Sequence, residues 1–237
     1  MKTSTILLLI TASIFVVVPI FHTAKLNGMI ERGEYTLYSE RPPLHMIDIN
    51  AFSTIHFNTA SNVEIDIVQS DSASLEIGGD LKLSITQLGD TLFIEQKDEA
   101  PGFNQPARYI KIQTPSLSKA DITGIEVSET TGTGSVQVEQ KYHPPFEVRI
   151  SGFSDERMEL NCAEGGVINL KSNNFGKSQF NIGTGSVLNI EKDNRLDSLS
   201  LTTGKGGYIN LQGAAVEHLK SSIHPESSLT VSGMEIK

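Results

Sequence analysis

The chain has no tryptophan, one cysteine and few aromatic residues, 6% in all. A lone Cys162 cannot form an internal disulfide, so the fold has to hold by packing. In "MELNCAEGG" it lies between apolar alternate positions, and we read it as a buried small hydrophobe, not a reactive thiol. Scarce aromatics leave little material for a sugar-stacking platform. Clustered Lys and Arg are also missing: 19 basic residues face 28 acidic ones, for a net charge of -9. A nucleic-acid partner is excluded on that ground, because phosphate contacts need concentrated positive charge. Nor is there a convincing helical period after residue 47.

Metal and catalytic signatures are equally scarce. The histidines His22, His45, His56, His143, His218 and His224 show no HExxH or other close ligand spacing. His218 and His224 are separated by six positions and a Pro follows the second, so we place all six in loops or on the surface. Asp155 with Glu156, or Asp193 with Asp197, are the carboxylate pairs that acid–base chemistry would use, but solvated turn residues describe them better. "GTGS" occurs at Gly132 and at Gly183 without the Lys and helix of a phosphate loop, and reads as a corner. The calcium-binding nonapeptide is absent. No catalytic, cofactor or metal residue is assigned, and no cofactor is expected.

Among what is present, the clearest address is "MKTSTILLLITASIFVVVPIF", a lysine followed by an apolar run, the layout of an export signal. We read residues 1–24 as a signal anchor or signal peptide, with retention as a single anchor helix preferred. Cleavage after "FHTA" would place His22 where a small residue is the rule. The remainder is then exported and held at the periplasmic face of the cytoplasmic membrane, or is secreted or surface-exposed if the segment is cut. Residues 25–47 mix charge, Gly, Tyr and Pro without an apolar period and read as a stalk.

From residue 48 to 237 the period is two. "NVEIDIV", "ASLEI", "LKLSI", "TLFIE", "YIKIQ" and "FEVRI" each bury alternate positions, as half-buried strands do. Short turn signals between Asn62 and Gln96 predict a meander of hairpins. A longer repeat follows. Ile168, Leu188, Ile209 and Leu229 recur at steps of 20, 21 and 20, with Leu170, Ile190, Leu211 and Val231 two positions behind. A second register aligns Phe175 with Leu196 and Val216, and Ile182 with Thr203 and Ile223. These steps predict an all-β fold, a parallel β-helix or solenoid of roughly 20-residue coils behind a β-meander cap. Gly166, Gly185 and Gly207 are assigned to tight corners needing positive φ. Asn169, Asn189 and Asn210 are expected to point outward and stack amide on amide.

The succession "FSTIHFNTASNVEIDIVQSDSASLEIGGDL", "LGDTLFIE" and "YIKIQTPSLSKADITGIEVSE", followed by Gly-rich repeats, resembles the bacterial auto-transporter adhesin head, or GIN, domains, a family of unknown function. "TPSLSKADITG" is the most telling piece. The resemblance implies a β-helical envelope domain of Gram-negative bacteria, often a lipoprotein or membrane-anchored, with an adhesive role. This chain departs from it in lacking the lipid-bearing cysteine.

Together these readings predict a non-enzymatic cell-envelope protein, an adhesin or scaffold whose surface contacts a glycan or an envelope or extracellular protein. A β-helical polysaccharide lyase or hydrolase, and an accessory or sensor domain of an envelope signalling system, are the alternatives. The membrane is a partner through the N-terminal segment, and an uncapped C-terminal coil allows a homodimer.

Overall fold

The computed structural model describes residues 44–59, 63–78, 81–97, 108–124, 127–131, 138–142 and 146–233. The expected anchor helix, His22, His143 and the "GTGS" at Gly132 lie outside the described residues. No helix among the described residues is long and apolar enough to cross a membrane.

The first strands are β1 Leu44–Asp48, β2 Thr54–Thr59, β3 Val63–Gln69, β4 Ser74–Gly78, β5 Leu83–Leu88 and β6 Thr91–Gln96. There follow β7 Arg108–Thr114, β8 Lys119–Gly124, β9 Val127–Thr131, β10 Val138–Tyr142, β11 Phe146–Ser151 and β12 Ser154–Glu164. The last are β13 Gly166–Lys171, β14 Asn174–Thr184, β15 Val187–Ile190, β16 Arg195–Thr203, β17 Tyr208–Gln212, β18 Ala215–Ser222 and β19 Ser228–Ser232. They form a nine-stranded sheet, β1-β4-β7-β3-β11-β13-β15-β17-β19, and an eight-stranded sheet, β18-β16-β14-β12-β8-β2-β6-β5, with β9 and β10 paired separately.

Both large sheets are mixed. β4 runs antiparallel to β1 and β7, and β5 antiparallel to β6. The expected parallel β-helix of 20-residue coils behind a β-meander cap is therefore corrected to two mixed sheets of nine and eight strands. The anticipated meander reduces to one hairpin, β5–β6, closed by Gly89 at φ +60° and Asp90. β3 instead inserts in parallel between β7 and β11. The reason is physical: alternation reveals which face a residue takes, but it does not name the neighbouring strand.

The repeat register is nonetheless the pairing register. Ile168 lies opposite Leu188, Leu188 opposite Ile209, and Ile209 opposite Leu229, all in parallel pairs. In the other sheet Phe175 lies opposite Leu196 and Leu196 opposite Val216. Inward residues of both sheets, from Phe57 and Ile65 to Leu211 and Val216, belong to one buried cluster. Each such aliphatic side chain contributes about 1.5–3 kcal/mol of burial before entropy is counted. Cys162 is part of that cluster, and burial pushes its thiol up from the usual range.

Two kinds of corner join the sheets. Positive φ falls at Gly165, Gly185 and Gly206, at +68°, +65° and +66°. Two of the three corner glycines expected from sequence thus sit one residue too late. Gly166 has a steric reason instead, since a Cβ there would lie 2.4 Å from the Phe146 ring. At the opposite corner Asn173 and Asn194 are buried. Asn173 Oδ1 accepts from the Phe153 N–H at 3.0 Å, and Asn194 Oδ1 accepts from the Asn173 N–H at 3.1 Å. These amides replace the backbone partners that a chain turning out of a sheet loses.

Candidate functional site

Outward positions of the eight-stranded sheet align into a row crossing six strands. Phe93 on β6 lies opposite His56 on β2, and His56 opposite Asp121 on β8. Asp121 is opposite Asn161 on β12, Asn161 opposite Asn181 on β14, and Asn181 opposite Thr202 on β16. Each owes its position to alternation, because the residues flanking it point into the core: Ala120 and Ile122, Leu160 and Cys162, Phe180 and Ile182.

From Phe93 to Asn181 the row is linked side chain to side chain. His56 and Phe93 stack with ring centroids 4.9 Å apart and planes at 6°. His56 Nδ1 lies 3.0 Å from Asp121 Oδ2. Asn161 Nδ2 donates to Asp121 Oδ1 at 2.6 Å and to Glu159 Oε1 at 3.0 Å. Asn181 Nδ2 then donates to Asn161 Oδ1 at 2.6 Å. Beside the row, Lys119 Nζ reaches Glu159 at 2.9 Å and Asp121 at 3.6 Å. An open groove of about 510 Å³ runs along the Asp121–Thr202 part, bordered also by Ala163, Gly183 and Gly204.

The hydrogen bond from Lys119, then that from Asn161, holds the Glu159 carboxyl below the usual glutamate range. The partnership with Glu159 correspondingly raises Lys119. A depressed carboxyl favours the folded state above its ordinary pKa of about 4.3 and loses that contribution as pH falls through the folded value. Thermal melts over a pH series should therefore show native protein more stable than Glu159→Gln at neutral pH, with the gap closing in acid. A gap independent of pH would remove the ion pair from the account.

The nine-stranded sheet carries a comparable outer row. Glu76, Lys111, Asp66, Arg149, Asn169, Asn189 and Asn210 follow one another in register. Arg149 binds Asp66 at 2.9 Å, with Glu147 at 3.3 Å and Glu64 at 3.4 Å. Asn189 Nδ2 donates to Asn169 Oδ1 at 2.8 Å, the stacking expected from sequence.

Sequence-singled residues are otherwise dispersed. Asp155 accepts the Leu117 N–H at 3.0 Å, and Asp197 faces Arg195 at 3.9 Å, both local contacts. His45 lies on β1 and His218 is exposed on β18, whereas the His224 N–H donates to Thr203 Oγ1 at 2.9 Å. Among the described residues no three of His, Cys, Asp and Glu could hold a metal ion. The row through Phe93, His56 and Asp121 escaped sequence reading because its members are 37 and 65 positions apart. Asn161 and Asn181 are 20 positions apart and paired in register, a periodic signal that the sequence reading did not extend to them.

No family model matches the chain, and no curated protein matches it. Solved structures do. A "putative adhesin" of Parabacteroides distasonis has 13% identity and a TM-score of 0.49, covering 76% of this chain and 77% of its own. A "putative adhesin" of Bacteroides fragilis has 15% identity and a TM-score of 0.47, covering 86% and 96%. A "putative lipid binding protein" of Parabacteroides distasonis has 16% identity and a TM-score of 0.37, covering 84% and 96%. Likeness at these scores transfers no activity or ligand to this chain.

Proposed function

We propose that the chain is a non-enzymatic contact domain of the cell envelope, exported by its N-terminal segment, that holds its partner against the outer face of the eight-stranded sheet. The observation that carries this reading is the continuous row from Phe93 to Thr202 beside an open groove. Ordinary sheet surface is solvated and uneven. Here amide and carboxylate groups are fixed by one another, so a partner meets donors and acceptors whose ordering entropy is already spent.

The enzyme reading meets this same cluster and finds it unsuited. Glycoside chemistry needs a carboxylic acid with a raised pKa to protonate the leaving group. Glu159 is shifted the other way, and Asp121 is occupied by His56, Asn161 and Lys119. Cys162 points into the core.

The test is a binding screen of the full chain in detergent against envelope glycans, host glycans and matrix proteins, with product analysis of every bound sample. Thr202→Arg, which fills the groove of the eight-stranded sheet, should abolish retention. Asn189→Ala on the other outer face should leave it intact. Retention lost with the second variant alone moves the site to the nine-stranded sheet, and release of a cleaved product makes the chain an enzyme.

A further inference from the structure

We infer that the groove takes a linear, neutral polysaccharide lying across the strands, with successive sugars meeting successive strands of the row. This rests on the reading that the partner sits on the eight-stranded sheet, and adds the ligand class and its direction.

The groove presents Asp121, Asn161, Asn181 and Thr202, a carboxylate, two planar amides and a hydroxyl. Together they donate to and accept from vicinal hydroxyls, the group a sugar offers at every residue. Asn161 uses both amide hydrogens and its oxygen on Asp121, Glu159 and Asn181. That leaves it a rigid spacer, while Asn181 and the exposed Thr202 line the groove beside it. Among the described residues no cation lies in the row itself, and Lys119 beside it is already paired with Glu159 and Asp121. A polyanion would also meet a chain of net charge -9.

Neighbouring strands repeat at about 4.8 Å, so six strands extend the row to roughly 24 Å. An extended glycan advances by a similar distance per sugar, and one chain can keep phase over the row's length. A peptide in extended form would satisfy its backbone on a sheet edge, whereas this surface is a sheet face with its own backbone already paired. At the far end Phe93 and His56 add aromatic surface, with Phe93 at 36% exposure still open to contact. Sugar C–H groups pack on such surface, giving the strip an apolar terminus as well as polar teeth.

The inference predicts a dependence on chain length that a single-sugar pocket lacks. The full chain in detergent would be titrated calorimetrically with cello-oligosaccharides and chitin-oligosaccharides from the disaccharide to the octasaccharide, and with oligogalacturonates as the acidic counterpart. Affinity for a neutral series should tighten by about tenfold or more between disaccharide and hexasaccharide and then level off. Thr202→Arg should erase the gain. Phe93→Ala, at the other end of the row, should shorten the length at which affinity levels off without erasing it. Equal affinity at all lengths, preference for oligogalacturonates, no binding of either neutral series, or binding unaffected by Thr202→Arg would each overturn it. A protein captured in the screen and lost with Thr202→Arg, with no sugar bound, would overturn this inference while sustaining the contact face beneath it.

Discussion

Gly183→Ala is expected to unfold the protein at a temperature roughly 6–12 °C lower than native, from a cost of about 3 kcal/mol or more. Gly183 lies at the end of β14, where the backbone passes so close to β12 that a Cβ would lie 1.3 Å from the Ala163 carbonyl oxygen and 2.7 Å from that of Cys162. Both obstacles are backbone. A flexible side chain could swing away, but these atoms belong to paired strands and move only if the ladder opens. Overpacking in a well-packed interior costs about 1–3 kcal/mol when side chains can give, so this site belongs at or beyond the upper end. Gly185→Ala supplies the comparison. A Cβ there meets nothing within 4 Å, and φ is +65°. Left-handed strain costs about 1–2 kcal/mol, partly offset by the stiffer unfolded chain. Thermal melts in which the two variants fall equally would show that close backbone approach does not set the spacing of β12 and β14. Gly183 also borders the groove, so the substitution falls on that surface as well as on the ladder.

What the sequence made legible follows from what periodicity encodes. Alternation of two places Ile65, Ile67, Val148 and Ile150 on inner faces, and all four are buried. A step of 20 or 21 residues puts Leu188 beside Ile168 and Asn189 beside Asn169, and both pairs are in register. Neither signal names the strand neighbours in the first third of the chain. β3 and β4 are consecutive in sequence, yet β7 lies between them in the sheet. No local property of "NVEIDIV" distinguishes a hairpin partner from a parallel neighbour 40 or 80 residues away. Corner glycines were legible as a group but not by position, because positive φ at Gly165 and close packing at Gly166 write the same letter twice.

The candidate site was harder to read for the same reason. Its members are ordinary outward residues on strands distant in sequence, and none has an unusual neighbour until the sheet assembles. His56 reads as a surface histidine in "STIHFN", and it is partly exposed. Its stack on Phe93 and its contact with Asp121 exist only because β2 pairs with β6 on one side and β8 on the other. The row thus depends on strand order, the one property that alternation leaves open.

Asn194→Ala is expected to cost about 2–4 kcal/mol, more than any single outer-row amide, by removing a buried hydrogen-bonding node. Asn194 Oδ1 accepts from the Asn173 backbone N–H at 3.1 Å and from Asn173 Nδ2 at 3.0 Å. Its own Nδ2 donates to the Leu170 carbonyl at 2.7 Å and to that of Glu191 at 2.8 Å. At 2% exposure it leaves these groups little access to water once the amide is gone. Each buried donor or acceptor left without a partner costs about 1–3 kcal/mol. Volume is not the difficulty, because Ala214 occupies the corner preceding β18 and is fully buried there. Asn189→Ala is the control: it removes one bond between partly exposed amides, worth about 0.5–1.5 kcal/mol. Denaturant melts in which the two variants lose the same stability would reduce the corner amides to space fillers. The consequence extends to the groove, since the corner at Asn194 immediately precedes β16 and sets where that strand begins. Thr202 is carried on β16, so loosening the corner should weaken the groove's grip on a partner although Asn194 lies on neither outer row.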